Sequence, residues 1–208
     1  QMCIRDSNNM AIGRDALGGS INGGETNIAI GNYSLDANTS GDLNIGLGYV
    51  ALTQNSTGSS NVGIGNSAMQ LNQTGSSNTT LGNNSMKSSL SSNYNTAEGA
   101  EALFDANRTA DTDGYNTALG YNAGNTGTND ITTGNKNTLL GASTAASAAA
   151  GTNQTIIGYG ASGVASNSGT IGNSDVTVWY AGADNTADLG SSSVEFKDLY
   201  IDGTANLD

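Results

Sequence analysis

The sequence contains no histidine, no proline and a single cysteine. Without histidine, the chain lacks the side chain that most often serves as a general base or metal ligand near neutral pH. Cys3 alone can neither form an internal disulfide nor complete a thiolate zinc site. We therefore expect no catalytic residues, no cofactor and no bound metal.

Positive charge and aromatic side chains are also scarce. Six lysines and arginines stand against 18 acidic residues, which gives a net charge of −12, and aromatic residues make up 5% of the chain. Nucleic acids and anionic lipids select basic surfaces, so neither is an expected partner. No apolar run approaches the roughly 20 residues of a membrane-spanning helix, so direct membrane insertion is not expected either.

What the sequence has in abundance is repetition around its 30 glycines. The unit Asn-x-x-(Ile/Leu)-Gly reads NIAIG, NIGLG and NVGIG in its most regular copies, which are mostly spaced 17 residues apart. Ten copies, degenerate toward the end, place the last glycine at Gly13, Gly31, Gly48, Gly65, Gly82, Gly99, Gly120, Gly141, Gly158 and Gly172. A fixed period of this length indicates a repeat architecture.

Each repeat predicts one coil of a β-solenoid. The alternation inside NIAIG is that of a strand, with Ile28 and Ile30 on the inner face beside Leu35, and with the small Ala29 facing outward. A glycine corner, a second short strand and a Gly/Asn turn would complete the coil. We expect about ten coils, stacked in register about 4.8 Å apart. Because the column that contains Ala29 is small from Ala11 to Ala118, we interpret it as the surface against which other chains pack.

The first residue of each unit predicts a second feature, a ladder of stacked amides. It comprises Asn27, Asn44, Asn61, Asn78, Asn95, Asn116 and Asn137.

The runs NIAIGNYSL, NIGLGYVAL and NVGIGNSAM resemble the head repeats of YadA-like trimeric autotransporter adhesins, which also occur in bacteriophage tail fibres. The resemblance implies a left-handed parallel β-roll in which three chains pack side by side as a homotrimer. It also implies a role in attachment, with a host or cell-surface glycan or protein as partner.

Three segments are expected. Residues 1–8 are interpreted as a non-native or disordered tail, residues 9–174 as the β-roll, and residues 175–208 as a short C-terminal β cap or junction. Within the last segment, DLGSSSVEFKDLYIDGTANL resembles a piece of phage tail-fibre proteins that precedes a self-cleaving chaperone domain.

Two intervals of 21 residues each insert four residues, on either side of Gly120. Insertions in a solenoid form loops on one face, often the binding face. We expect the receptor-binding residues there; neutral drift in loop length is the alternative. The candidates are Phe104, Arg108, Asp111, Asp113, Tyr115, Tyr121 and Lys136.

Other site hypotheses rank below this one. The acidic stretch 105–116 contains DxDG but fails the EF-hand spacing, so a solvated loop is expected rather than a calcium site. Glu98 replaces Ile or Leu and marks either a polar position between chains or a strained coil. With Glu101 it suggests a glycosidase dyad, but nothing in the sequence sets the separation of the two carboxylates or supplies a substrate cleft, so no catalysis is expected. A threonine column that includes Thr79 and Thr96 is interpreted as drifted core rather than an ice-binding array. The sequons at Asn38 and Asn72 are explained by turn chemistry.

The expected function is therefore non-enzymatic attachment outside the cell. A phage tail fibre on the virion comes first, the head of a bacterial surface adhesin second, and a ligand-free structural spacer third.

Overall fold

A computed structural model of the 208-residue chain describes residues 2–3, 8–19, 23–106 and 113–178, and the single positions 193, 198 and 200. The chain divides into two compact units, Gln1–Asn173 and Ser174–Asp208. The segment predicted as a C-terminal cap lies almost entirely outside the described residues, and so does Trp179.

The first unit is built on one sheet of eleven short strands that follow one another in chain order. The strands are β1 Met2–Cys3, β2 Met10–Ile12, β3 Ile28–Ile30, β4 Ile45–Leu47, β5 Val62–Ile64, β6 Thr79–Leu81, β7 Thr96–Glu98, β8 Thr117–Leu119, β9 Thr138–Leu140, β10 Thr155–Ile157 and β11 Gly169–Ile171. No helix occurs among the described residues.

The ten strands β2–β11 are parallel and share one register. Ile28 pairs with Ile45 and Ile45 with Val62, and the same one-to-one pairing continues through β11. The predicted parallel β-solenoid is confirmed, with about nine turns between the first and last of these strands. Strand β1 is antiparallel to β2, so Met2 and Cys3 pair with the first coil, within the segment predicted to be a tail.

The predicted facing of the strands is wrong. Ala29 is fully buried, whereas Ile28 and Ile30 are only partly buried on the outer face of the sheet. The reason lies across the coil, where Leu35 is fully buried and fills the interior. A coil this narrow holds one large side chain, so the strand residue opposite must be small. The small column therefore contacts its own chain, and it is not evidence for packing against another.

The last coils reverse this division of volume. Where earlier coils place a leucine or methionine after the corner, the seventh has Gly124, and a β-carbon there would lie 2.9 Å from Leu103 Cδ2 and 3.7 Å from Leu139 Cδ2. Leu139 and Ile131 are fully buried and occupy the space. The large buried residue therefore comes from other positions in these coils, and the interior stays filled, as expected of close packing.

The half of the coil after the glycine corner is a turn rather than the predicted second strand, within the described residues. Tyr33 and Leu35 both have left-handed backbone, with φ of 60° and 51°. Their amides still bond between coils, as Leu35 N does to Ala51 O at 3.0 Å. Left-handed residues alternate here, which curls the chain tightly enough to aim Leu35 at the core.

Two asparagine ladders run through the buried turns. In the first, Asn44 Nδ2 donates to Asn27 Oδ1 at 3.2 Å and to Gly58 O at 2.8 Å. This pattern recurs up to Asn137, except that the second acceptor of Asn95 is Asn93 O. The second ladder consists of Asn38, Asn55 and Asn72. Each Nδ2 of that ladder also donates to the glycine carbonyl three residues later, which is turn chemistry as predicted. Asn38 and Asn72 are fully buried, which leaves no room for a glycan.

Candidate functional site

One surface column runs beside the first asparagine ladder and changes character along the solenoid. It contains the residue that precedes each ladder asparagine, and we call it the tyrosine column. Its members are Thr26, Leu43, Ser60, Ser77, Tyr94, Tyr115 and Lys136, all exposed and all with φ between 47° and 59°. The backbone at this position is thus the same in every coil, and only the side chains differ.

Tyr94 and Tyr115 form a stacked pair in this column. Their ring centroids are 5.2 Å apart and the ring planes differ by 6°. Each side chain is 49% exposed, so the pair presents aromatic surface to solvent. The Tyr115 hydroxyl donates to Asp113 Oδ2 at 2.7 Å. This hydrogen bond is the main cause that raises the pKa of Tyr115, so its hydroxyl stays protonated and fixes the ring.

The backbone of the inserted coil explains how the two rings meet. Asn93 pairs with Asp113, and Gly114 N donates to Asn93 O at 2.9 Å. Asn116 then bonds Asn95 across 21 residues with the geometry that other coils achieve across 17. The bonds between ladder asparagines therefore continue across the insertion, although Asn95 Nδ2 also donates to Asn93 O at 3.0 Å, where the other ladder residues donate to a carbonyl of the next coil. Lys136 follows in the next coil, where its amide donates to Gly114 O at 2.8 Å.

The other predicted receptor-binding residues lie elsewhere. Phe104 belongs to the turn column after the corner, where the Lys87 ammonium lies 5.8 Å from its ring centroid. Tyr121 directly follows a corner glycine, at the same coil position as Tyr49 and Tyr159. Arg108 and Asp111 lie outside the described residues. The structure therefore brings together Asp113 and Tyr115, with Lys136 in the following coil, and separates Phe104 and Tyr121 from them.

Sequence reasoning missed Tyr94, because the search was confined to the two longer coils. The signal was present, since Tyr94 precedes Asn95 as Tyr115 precedes Asn116. Aligning the coils on the ladder asparagine rather than on the corner glycine would have placed the two tyrosines in one column.

A second surface feature is the outer face of the sheet. The third residue of each parallel strand forms what we call the outer column, namely Ile12, Ile30, Leu47, Ile64, Leu81, Glu98, Leu119, Leu140, Ile157 and Ile171. Its leucines are between 40% and 45% exposed. The first residue of each strand also faces outward; it is Met, Ile or Val in β2–β5 and Thr in β6–β10. The threonine column is therefore surface, and its interpretation as drifted core is wrong.

Glu98 belongs to the outer column. It lies in a regular strand, paired with Leu81 on one side and Leu119 on the other. The strained-coil interpretation is therefore wrong, whereas a polar position between chains stays a prediction. Glu101 lies beyond the corner, with φ of 59° and with its amide bonded to Asn83 O.

One carboxylate near the start of the solenoid is electrostatically unfavourable. Burial, reinforced by the nearby Asp15 carboxylate, raises the pKa of Asp36, although the Gly18 amide partly offsets this.

Two further observations concern the described part of the chain only. No group of three or more His, Cys, Asp or Glu side chains is placed to hold a metal ion there. No helix in the same residues is long and apolar enough to cross a membrane.

Comparison of the chain with protein-family models, curated proteins and solved structures found no match.

Proposed function

We propose that this chain is a rigid, non-enzymatic segment of an extracellular attachment fibre, which associates with further copies of itself and carries residues that bind a host surface. A phage tail fibre is the preferred setting. The head of a bacterial trimeric adhesin, which the repeat also resembles, is the second.

The single observation that carries this proposal is the exposed apolar face of the solenoid. In β2–β5 both outward positions are aliphatic, as in Ile28 and Ile30, and in later strands the outer column keeps Leu81, Leu119 and Leu140. The intrachain core does not need these side chains, because Leu35 and its equivalents fill it. An exposed and largely apolar strip of this kind, interrupted at Glu98, marks an interaction surface.

A second copy of the chain is the occupant that this surface fits best. The strip repeats from coil to coil with the spacing of the solenoid, so an identical strip on a partner matches it along its whole length. Equivalent side chains of identical chains can meet in this way around the rotation axis of a cyclic homo-oligomer. Ten parallel strands span roughly 45 Å at about 4.8 Å per strand, long enough for an extended interface. Three copies are proposed because the repeat resembles trimeric proteins.

Size-exclusion chromatography with multi-angle light scattering tests the association. We expect wild-type chain at three times the 20.8 kDa protomer mass. Leu119→Glu places a second carboxylate directly beside Glu98 and should dissociate the oligomer without unfolding the protomer, because the column already accepts a glutamate. Glu98→Leu is the matched variant and should tighten association. A wild-type monomer, or oligomers unaffected by Leu119→Glu, would contradict the proposed interface.

Attachment needs its own assay. Fluorescently labelled wild-type chain should bind the surface of host cells and compete with the intact fibre or adhesin. A chain that oligomerises but binds no cell would leave the ligand-free spacer as the better description. Immunogold labelling of virions against labelling of bacterial cells separates the phage fibre from the adhesin.

A further inference from the structure

The stacked tyrosines are not explained by the fold. Ser60 and Ser77 occupy the same column in the preceding coils with φ of 59° and 58°, so the backbone does not require an aromatic residue. Left-handed backbone is unfavourable for a bulky side chain and is more often occupied by Asn, Asp or Gly. Two adjacent coils nevertheless place tyrosine there and leave half of each side chain in solvent.

The stacked pair lies next to a small residue in the tyrosine column. On the side of the preceding coil the next member of the column is Ser77, whose side chain is too short to cover the Tyr94 ring. The stack uses one face of each ring, and on the other side of Tyr94 the column holds only this small residue. A half-exposed aromatic ring with a small neighbour in its column can stack against one sugar ring.

Polar groups border the aromatic surface. Asp113 accepts the hydrogen bond of the Tyr115 hydroxyl at Oδ2, so its other carboxylate oxygen, Oδ1, can accept a bond from a ligand. Thr96 and Thr117, two residues beyond the tyrosines, face outward from β7 and β8 and are exposed. Lys136 continues the column as an exposed donor. An aromatic surface with threonine hydroxyls in the adjacent strands, and with a carboxylate and an ammonium group at its Tyr115 end, suits a ligand with an apolar C–H face and a hydroxylated edge.

We propose that Tyr94 and Tyr115 are the stacking platform of a carbohydrate-binding site, with the Thr96 hydroxyl beside Tyr94 and with Asp113 and Lys136 as hydrogen-bonding groups for further sugars at the Tyr115 end of the column. The ligand class is a neutral glycan that presents a pyranose ring of the hexose or N-acetylhexosamine type. Anionic glycans are disfavoured because the chain carries a net charge of −12 and a carboxylate stands at the Tyr115 end of the column. This proposal rests on the proposed attachment function and names the ligand of that surface.

An array of immobilised neutral oligosaccharides, with sialylated and sulfated glycans as the anionic arm, tests it on the full 208-residue chain. The variant Tyr94→Ser with Tyr115→Ser restores the residue type that the column uses at Ser77. We expect it to keep the wild-type melting temperature within a few degrees and to lose at least tenfold in affinity. The matched control is Tyr49→Asn with Tyr159→Asn, which removes two exposed tyrosines elsewhere and should bind like wild type.

A second measurement covers the case in which the double serine variant does not fold. Tyrosine nitration mapped by mass spectrometry should show Tyr94 and Tyr115 protected by a neutral glycan that the array identifies, while Tyr49 is not protected. Equal binding by the folded double serine variant, unchanged nitration at the pair, or wild-type binding to anionic glycans alone would overturn the site. If wild-type chain still binds host cells, only this site fails; if it binds neither cells nor array, the attachment function fails as well.

Discussion

The glycine that ends each strand is the position where the solenoid is least tolerant, and Gly48→Ala is the sharpest test. Gly48 has φ of +143°. A β-carbon at this position would lie 2.3 Å from Gly65 O and 2.7 Å from Gly65 C in the next coil. Both atoms are backbone, so no side-chain rotation relieves the overlap.

Two costs add up in this variant. An alanine at such a φ costs on the order of 1–3 kcal/mol in backbone strain. Relieving the overlap requires the coils to separate locally, which weakens bonds such as that from Gly65 N to Leu47 O at 2.8 Å, each worth about 1 kcal/mol. We expect Gly48→Ala to lower the free energy of unfolding by about 3–5 kcal/mol, a large share of the roughly 5–15 kcal/mol of a typical domain.

Gly127→Ala separates the two costs. Gly127 also has left-handed backbone, with φ of +81°, but a β-carbon there would have no neighbour within 4 Å. It should therefore cost only the conformational part, about 1–2 kcal/mol. Urea denaturation followed by circular dichroism compares the two variants, and hydrogen exchange should show the extra opening of Gly48→Ala in the coils next to Gly48. If the two variants differ by less than about 1 kcal/mol, close approach of the coils is not what selects glycine.

Three further predictions concern the interior and its charges. Asn61→Asp removes both donors of a fully buried ladder residue and should lower the free energy of unfolding by about 2–5 kcal/mol. Its melting temperature should fall as pH rises, because burial raises the pKa of the new carboxyl. Asn66→Asp, on the surface of the same coil, should change little. Leu52→Ala should lower the free energy of unfolding by about 2–5 kcal/mol. Adding Gly63→Ala should recover part of this loss, because a β-carbon at residue 63 would lie 3.1 Å from the position of Leu52 Cγ and would partly fill the cavity. A double-mutant cycle in urea measures the coupling. Asp36 has a raised pKa in the folded state, so the stability it contributes is present below its ordinary pKa of about 3.9 and is lost as pH rises through the raised value. In Asp36→Asn the melting temperature should depend less on pH between pH 4 and 7, and it should be higher than that of the wild type at pH 7.

Much of the scaffold could be predicted from the sequence because repetition makes register visible. The spacing of the corner glycines indicated parallel stacking, and the recurrence of Asn27 and its equivalents indicated the ladder that their side chains form. The facing of the strand could not be read in the same way. Three residues such as Ile28, Ala29 and Ile30 alternate equally well with either face inward, and the choice depends on Leu35, whose left-handed backbone the sequence does not announce.

The candidate site was predictable only in part for a related reason. Tyr115 was found because it follows an insertion, and Tyr94 was missed because its coil has the standard length. Both tyrosines directly precede a ladder asparagine. Because Asn95 and Asn116 are hydrogen-bonded to each other, the two tyrosines are neighbours although 21 residues separate them in the chain. Contacts in a solenoid follow the column rather than the distance along the chain, so a site on it must be sought by aligning coils.

This arrangement also separates stability from recognition. The groups that hold the coils together are inside or in the backbone: the asparagine ladders, the corner glycines and one large side chain per coil, as at Leu52. The tyrosine column uses the same backbone whether it holds Ser77, Tyr94 or Lys136, and the bonds between ladder asparagines continue across the 21-residue interval. Because stability in such a stack is a sum of neighbouring interfaces, exchanging the exposed residue in one coil leaves the others unaffected. The solenoid can therefore vary its exposed columns, coil by coil, while its interior stays the same.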